Sequence, residues 1–135
     1  MTRLGALLLT ALVALGACSW GPNPYVPPAS ATALEVLMAY LEAYKGGRCG
    51  FARQLWLDGV PNTGDGDLCG DAQLLGYRIN TEPATPTLGV LVFVTYLTTT
   101  GSRDGSVEPG DMIWFFQLTR QVDGSWRITG GGSGP

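Results

Sequence analysis

The sequence predicts an α+β fold in which N-terminal helices pack on a curved, mostly antiparallel sheet of about four strands. Apolar residues recur at helical spacing early in the chain, and from Leu75 onward they alternate with a period of two. Helices that precede a run of strands in this order are typical of α+β domains with two layers. A sequence of 135 residues suffices for one such domain around one hydrophobic core.

The N-terminus has the charge and hydropathy order of an export signal. Arg3 precedes an uncharged apolar run from Leu4 to Leu15, an order typical of signal peptides. The run is shorter than the roughly 20 apolar residues that a membrane-spanning helix needs. It ends in Leu15-Gly16-Ala17-Cys18, which resembles the lipobox of bacterial lipoproteins, where small side chains precede the cysteine that takes the lipid.

This resemblance implies a lipoprotein signal peptide at residues 1–17 and a mature chain that begins at lipidated Cys18. An ordinary secretory signal that happens to precede a cysteine is the alternative. Two or three acyl chains would anchor the protein firmly, because each buried methylene contributes about 0.8 kcal/mol. The lipoprotein interpretation predicts a protein anchored to the cell membrane, on the extracytoplasmic side, in the bacterial cell envelope.

Residues 18–30 are predicted to be a tether between the lipid and a single domain at residues 31–135. Four prolines between Pro22 and Pro28 remove backbone donors and favour extended polyproline II. At about 3.1 Å per residue the tether reaches roughly 35 Å. The domain is therefore expected to stand off the bilayer.

Charge and composition disfavour several classes of function. The formal net charge is −3, so we expect no basic surface for nucleic acid. The chain contains no histidine, the commonest metal ligand and a frequent general base. Many hydrolases and zinc sites are thereby disfavoured, and we predict neither a metal nor another cofactor.

Two cysteines remain for the domain if lipid occupies Cys18. In an oxidising compartment Cys49 and Cys69 are expected to form a disulfide. Closing a loop of about 20 residues contributes roughly 3 kcal/mol on the loop-entropy argument. The alternatives are a two-cysteine metal site or a reactive thiol, which lack partner ligands or a nearby histidine.

The first helix is predicted to begin after Thr32 and to end at Gly46-Gly47. Thr32 and Glu35 have the spacing of a capping box, in which each side chain accepts the other residue's backbone N–H. Tyr40 and Tyr44 lie four residues apart and either line a cavity with their hydroxyls or pack as ordinary core. The buried face is expected to consist of the apolar residues at helical spacing, which are Leu34, Leu37, Met38, Leu41 and Tyr44.

A shorter second helix is predicted from Arg48 to Leu57, and a glycine-rich loop follows it. Asp65-Gly66-Asp67 in this loop is interpreted as a solvated turn. The alternative is a calcium loop, for which the further oxygen ligands and the terminal Glu are missing.

Four strands complete the domain. Leu75, Tyr77 and Ile79 alternate with polar or small residues, as in a strand with one solvated face. The stretch from Leu88 to Leu97 is apolar at both alternating sets of positions, which favours a central strand covered on both sides.

A polar connection from Gly101 to Gly110 then leads into the third strand. Asp123-Gly124 predicts a tight turn, and Trp126 to Thr129 form the last strand before a glycine-rich tail. The third strand is expected to place two sets of side chains on opposite faces, with Met112, Trp114, Phe116 and Leu118 on one and Ile113 and Phe115 on the other.

The opening helix, the cysteine pair and the ending from Trp114 through Trp126-Arg127-Ile128 together resemble one known superfamily. This is the nuclear-transport-factor-two-like superfamily, also called the cystatin-like cone fold, and in particular its small bacterial lipoproteins. The resemblance covers about residues 31–130. Members include isomerases, cyclases and dehydratases as well as binding modules, so the fold does not supply the function.

For an enzyme, the resemblance to ketosteroid-isomerase-like members implies a carboxylate and a tyrosine in the cone cavity. Tyr40, Tyr44, Tyr96 and Asp111 are available, but no carboxylate matches a family motif. We therefore predict a non-catalytic binding or accessory module, with a small isomerase- or cyclase-like enzyme as the alternative.

The predicted partners are the membrane, through lipid on Cys18, and either an envelope protein or an apolar small ligand. The superfamily's frequent dimers are compatible with the chain. An apolar ligand or a partner's side chain would sit in the cone, although aromatic residues could also fill it completely. The residues expected to line such a cavity are Tyr40, Tyr44, Trp56, Phe93, Trp114 and Phe116.

Overall fold

The structure is a computed structural model and describes residues 27–61, 67–84 and 87–134. Its strands form one sheet in the order β1-β2-β3-β4, each antiparallel to its neighbour, with the helices packed on one face. This confirms the predicted α+β class. The elements are α1 (Ala33–Lys45), α2 (Cys49–Gln54), a 3-10 turn (Leu57–Gly59), α3 (Leu68–Asp71), β1 (Leu74–Ile79), β2 (Val90–Thr99), β3 (Gly110–Arg120) and β4 (Trp126–Gly132).

Helix α1 begins and ends where the sequence predicts. The Thr32 hydroxyl accepts the Glu35 backbone N–H at 3.2 Å, and the Thr32 backbone N–H donates to the Glu35 carboxylate at 2.7 Å. The capping box is therefore complete. At the other end, Gly47 has a φ of 70° and donates to the Tyr44 carbonyl, while Arg48 donates to that of Ala43. This pair of bonds is a Schellman motif, which needs a left-handed residue such as glycine.

The buried face of α1 is rotated relative to the predicted stripe. Leu37, Leu41 and Tyr44 are buried as expected, but Met38 is 46% exposed, so its predicted burial is wrong. The predicted buried face consisted only of large apolar residues, whereas α1 also buries small ones. The remaining buried residues of α1 are Ala33, Val36, Ala39, Tyr40 and Ala43. Three alanines in the contact leave room for the tyrosine rings.

The second helix is shorter than predicted because the chain turns to join the sheet. Helix α2 ends at Gln54 instead of Leu57. Trp56 leaves the helix in an extended conformation and forms an isolated parallel bridge with Ile128 of β4. The Ile128 backbone N–H donates to the Leu55 carbonyl at 3.0 Å. Pairing with a strand that is distant in the sequence thus ends the helix early.

The predicted disulfide between Cys49 and Cys69 is present, with Cα atoms 5.5 Å apart. It joins the first residue of α2 to α3, a short helix that the sequence analysis did not predict. Arg53 and Asp67 form an ion pair at 2.5 Å beside it, so two links hold α2 against α3. Residues 62–66, which include most of the Asp65-Gly66-Asp67 turn, lie outside the described residues.

Strands β2 and β3 pair along their whole length, from Val90 opposite Thr119 to Thr99 opposite Gly110. Their inner face, toward the helices, is buried. On the outer face, Tyr96 and Ile113 are 38% and 49% exposed. The expectation that the second strand is covered on both sides therefore does not hold within the described residues. Leu88, the predicted first residue of that strand, lies fully exposed in the preceding turn.

Both edge strands are irregular. In β1 the pairing register shifts between Leu74 and Gly76, so that Leu74 is buried and Leu75 is 53% exposed. This bulge overrides the predicted inward position of Leu75. The pairing register of β4 with β3 also shifts, between Gln117 and Leu118. Strand β4 continues to Gly132, beyond its predicted end. In the described part of the chain, the helices are all too short or too polar to cross a membrane.

Candidate functional site

The six residues predicted to line a cavity lie together in the core between α1 and the sheet. They are 0–2% exposed. Tyr40 meets Trp56 and Phe116 edge to face, with ring centroids 6.1 and 5.3 Å apart, and Trp114 lies 6.5 Å from Phe116. Such arrangements add to the stabilisation by burial. We call Tyr40, Tyr44, Trp56, Phe93, Trp114 and Phe116 the aromatic cluster.

Three polar atoms of the aromatic cluster are buried without a hydrogen-bond partner in the described structure. They are Tyr44 Oη, Trp56 Nε1 and Trp114 Nε1. Burial, with the negative charge of Asp67 as a smaller cause, raises the pKa of both Tyr40 and Tyr44 well above the usual range. These hydroxyls stay protonated at neutral pH. They are therefore suited to donating hydrogen bonds and unsuited to acting as bases.

The other residues considered for an enzyme lie on the opposite side of the sheet. Asp111 is exposed on the outer face, where its carboxylate accepts the Thr98 hydroxyl at 2.7 Å. Tyr96 also faces outward, with the Arg78 guanidinium 4.0 Å from its ring centroid. The structure therefore does not bring Asp111 and Tyr96 together with the aromatic cluster.

A recess of about 420 Å³ opens where the C-terminal end of α1 meets the disulfide. Asp71 and Gly70 also line an adjoining recess of about 340 Å³, together with Arg103 and Asp104 from the β2–β3 connection. We call the two recesses together the disulfide cleft. The residues that line the larger recess include Tyr44, Lys45, Cys49, Cys69, Gln73 and Thr100.

The disulfide cleft carries charges of both signs. Lys45 and Arg103 supply cations, and Asp71 and Asp104 supply carboxylates. Asp104 accepts hydrogen bonds from the hydroxyls of Ser102 and Ser106 and from the Ser106 N–H, which lower its pKa to about 2. It is therefore ionised at any physiological pH. A polar, mixed-charge surface of this kind suits hydrogen-bonding groups better than an apolar ligand.

Sequence reasoning found the cysteines of this cleft but missed its charged residues. Lys45, Asp71 and Arg103 lie in α1, α3 and the β2–β3 connection, and no spacing in the sequence indicates that they meet. Within residues 27–61, 67–84 and 87–134, no three side chains able to ligate a metal come together. No protein-family model, curated protein or solved structure matches this chain.

Proposed function

We propose that the protein is a non-catalytic binding or accessory module held at the extracytoplasmic face of the membrane by lipid on Cys18. The observation that supports binding over catalysis is the packing of the aromatic cluster. Its six residues are 0–2% exposed and fill the space that a substrate in a cone would occupy. None of the buried atoms without a partner in the described residues is a carboxylate oxygen.

We propose the disulfide cleft as the binding site, and an envelope protein as its partner. The cleft is open and polar, and Lys45 and Asp71 offer charges of opposite sign within one recess. Polar protein surfaces provide matching donors and acceptors, whereas an apolar small ligand would leave these groups unpaired. The disulfide holds two of the lining elements in place, which reduces the entropy lost on binding.

Membrane attachment is supported by the sequence before the domain. Leu15-Gly16-Ala17-Cys18 has the spacing of a lipobox, and prolines follow it. The lipobox, Pro22 and Pro24 lie outside the described residues, which begin at Pro27. We also assign the domain to the cone fold of the nuclear-transport-factor-two-like superfamily, because two layers with helices first match its order of elements.

Site-specific photocrosslinking in intact cells tests the proposed binding site. A benzoylphenylalanine at Gln73, which is exposed at the cleft, should give a discrete adduct with one envelope protein. The matched control is Val122, fully exposed in the β3–β4 turn. Asp71→Ala should weaken the adduct at position 73. Equal adducts at 73 and 122, or none at 73, would contradict the proposal.

One observation favours the enzyme alternative. Tyr44, whose buried hydroxyl has no partner in the described structure, is among the residues around the recess that Asp71 also lines. A tyrosine donor and a carboxylate base are the groups that an isomerase of this superfamily requires. Turnover of a ketosteroid or a related enolisable ketone, lost in both Tyr44→Phe and Asp71→Asn, would establish the enzyme and exclude the non-catalytic module.

A further inference from the structure

Two turns at one end of the sheet carry fully exposed aliphatic side chains. Leu88 lies in the tight turn that the bonds between Thr87 and Val90 close, and Val122 lies in the β3–β4 turn. Both are more exposed than any other large apolar side chain in the described residues. Glycine, proline and small polar residues dominate turns, so an aliphatic side chain in each of two turns is unusual. We call residues 87–89 and 121–124 the turn tips.

The turn tips are neighbours in the fold. The Arg120 backbone N–H donates to the Gly89 carbonyl at 2.8 Å, which joins the end of β3 to the turn before β2. Val90 pairs with Thr119, so both turns leave the sheet at the same end. The two aliphatic side chains therefore project from one end of the molecule. Single exposed apolar residues scattered over a surface need no explanation, but neighbouring ones mark an interaction site.

Cationic side chains accompany the turn tips. The β3–β4 hairpin carries Arg120 and Arg127 near its turn, against one carboxylate, that of Asp123. The Arg120 guanidinium lies 3.9 Å from the point where a side chain on Gly124 would begin, which places this charge at the turn. Asp123 is occupied by hydrogen bonds from the hydroxyl and the backbone N–H of Ser125. Aliphatic side chains with arginines beside them match the acyl chains and the phosphate groups of a lipid bilayer.

Helix α1 begins on the same side as the turn tips. Near its C-terminal end, Tyr44 borders a recess together with Thr100, which follows β2. One turn earlier, Tyr40 packs against Phe116, which pairs with Phe93 in the first half of β2. The contacts of α1 thus move from the cleft toward the turn tips as the helix is followed back to its start. The proposed lipid on Cys18 precedes that start in the chain.

We propose that the turn tips insert shallowly into the bilayer that holds the lipid of Cys18, with Leu88 and Val122 at the boundary between headgroups and acyl chains. This inference rests on the membrane attachment in the proposed function and adds an orientation to it. The disulfide cleft, at the opposite end of the sheet, would face away from the bilayer toward its partner. The domain would rest on the membrane, whereas the length of the tether alone suggests that it stands off.

A lipid surface suits the turn tips better than a protein partner does. A specific protein interface buries about 800 Å² on each partner, and two aliphatic side chains on separate turns provide only a fraction of that area. A bilayer needs no complementary shape, and apolar side chains at its surface enter about 5 to 10 Å. Insertion leaves few backbone groups unpaired, since the Gly124 N–H donates to the Gln121 carbonyl and Thr87 and Val90 bond to each other.

Electron paramagnetic resonance of spin-labelled protein in vesicles tests the insertion. Protein purified from membranes is reconstituted into vesicles of phosphatidylethanolamine and phosphatidylglycerol, with one nitroxide attached at Leu88→Cys, Val122→Cys or Glu108→Cys. Collisions with oxygen, which enters lipid, and with a nickel complex, which stays in water, give the depth of each label. Labels at 88 and 122 should lie about 5 to 10 Å into the bilayer surface. The control at Glu108, exposed in the β2–β3 connection at the cleft end, should lie in water.

A charge at one turn tip should withdraw the other from the lipid. Leu88→Asp should move the label at 122 into water, because a carboxylate is costly to bury in a bilayer. Leu88→Ser should have the same effect to a smaller degree. Leu75→Asp is the matched control, because Leu75 is an exposed leucine at the cleft end of β1, and it should leave the depth at 122 unchanged.

Flotation of the vesicles on a density gradient separates this inference from the anchor. Protein that floats while its labels at 88 and 122 are as accessible to water as the label at 108 would overturn the insertion and leave the anchor intact. Protein that does not float would refute the anchor and the insertion with it. In intact cells, a discrete protein adduct from benzoylphenylalanine at position 88 would show that the turn tips bind a protein, which would also overturn the insertion.

Discussion

Two tyrosine hydroxyls of this protein lie in opposite environments. Tyr77 Oη donates a hydrogen bond of 2.5 Å to the Glu42 carboxylate. Tyr44 Oη is buried and has no partner in the described structure. The cost of burying a polar group depends on whether it is paired. The same substitution at the two positions should therefore have opposite effects on stability.

Tyr44→Phe is expected to leave the free energy of unfolding unchanged or raise it by up to about 1 kcal/mol, because it removes an unpaired buried hydroxyl. Tyr77→Phe, the matched control, should lower it by about 1 kcal/mol through loss of the bond to Glu42. Urea denaturation of both variants measures the difference. A loss of more than about 1 kcal/mol in Tyr44→Phe would mean that its hydroxyl has a partner in solution.

Stability should fall at high pH because of three tyrosines. Burial, the main cause at each position, raises the pKa of Tyr40, Tyr44 and Tyr77, and at Tyr77 the bond to Glu42 adds to it. In the unfolded chain a tyrosine ionises near pH 10. Since the folded state then holds more protons, the stability is complete below about pH 10 and is lost above it.

Absorbance at 295 nm measures the ionisation of tyrosine as the pH rises. The unfolding midpoint is measured over the same pH range. Three of the five tyrosines should remain protonated above pH 10 until the protein unfolds. Ionisation of Tyr40 and Tyr44 near pH 10 in a chain that is still folded would show that water reaches the aromatic cluster.

The positions of single side chains were predictable where local geometry fixes them. The contact between Thr32 and Glu35 could be predicted from their spacing alone, because a capping box is formed within four residues. Met38 and Leu75 could not be placed in this way. The exposure of Met38 depends on how α1 turns toward the sheet, and that of Leu75 depends on a bulge formed with β2.

At the scale of elements, the disulfide links two helices that are too short to be stable alone. Helix α2 has 6 residues and α3 has 4. Isolated helices need about 12 to 15 residues to be even marginally stable in water. The bridge between Cys49 and Cys69 and the ion pair of Arg53 with Asp67 therefore maintain the walls of the disulfide cleft.

Removing both cysteines, as Cys49→Ser with Cys69→Ser, should lower the free energy of unfolding by about 3 kcal/mol within a range of about 2 to 5. Thermal melts with and without reductant measure it. Reduced wild type should have the same melting temperature as the double variant. Reductant should not change the melting temperature of the variant. A wild-type midpoint that is the same in both conditions would contradict a stabilising bridge.

Element types were more predictable than element ends. Strands β1 and β3 could be predicted from alternation, but the end of α2 could not, because Trp56 leaves the helix to pair with Ile128. Helix α3 was missed because a single turn has no hydrophobic period. Charged residues of the cleft come from α1, α3 and the β2–β3 connection, so their meeting depends on the tertiary fold.

For the whole molecule, the proposed lipid on Cys18 would determine where the domain works. Cys18→Ala should leave an unprocessed precursor that lacks the diacylglyceryl group. This precursor should not be found in the same cell fraction as the wild-type protein. Intact mass spectrometry of the membrane fraction measures it. The wild-type mass should equal residues 18–135 plus the lipid, less two hydrogens for the disulfide. A normally acylated product from Cys18→Ala would refute the anchor, and an unlipidated wild-type chain starting elsewhere would refute the lipobox.

The contact between α1 and β4 has a consequence for biosynthesis. The first helix of the domain packs against its last strand, and Ile128 of that strand also bonds to the backbone at Leu55. While the ribosome is still adding residues before Trp126, α1 can reach α2, β1 and β3 but lacks its contact with β4. The domain therefore cannot complete its core until translation is nearly finished, and a chain that ends before Trp126 is expected to lack a stable fold.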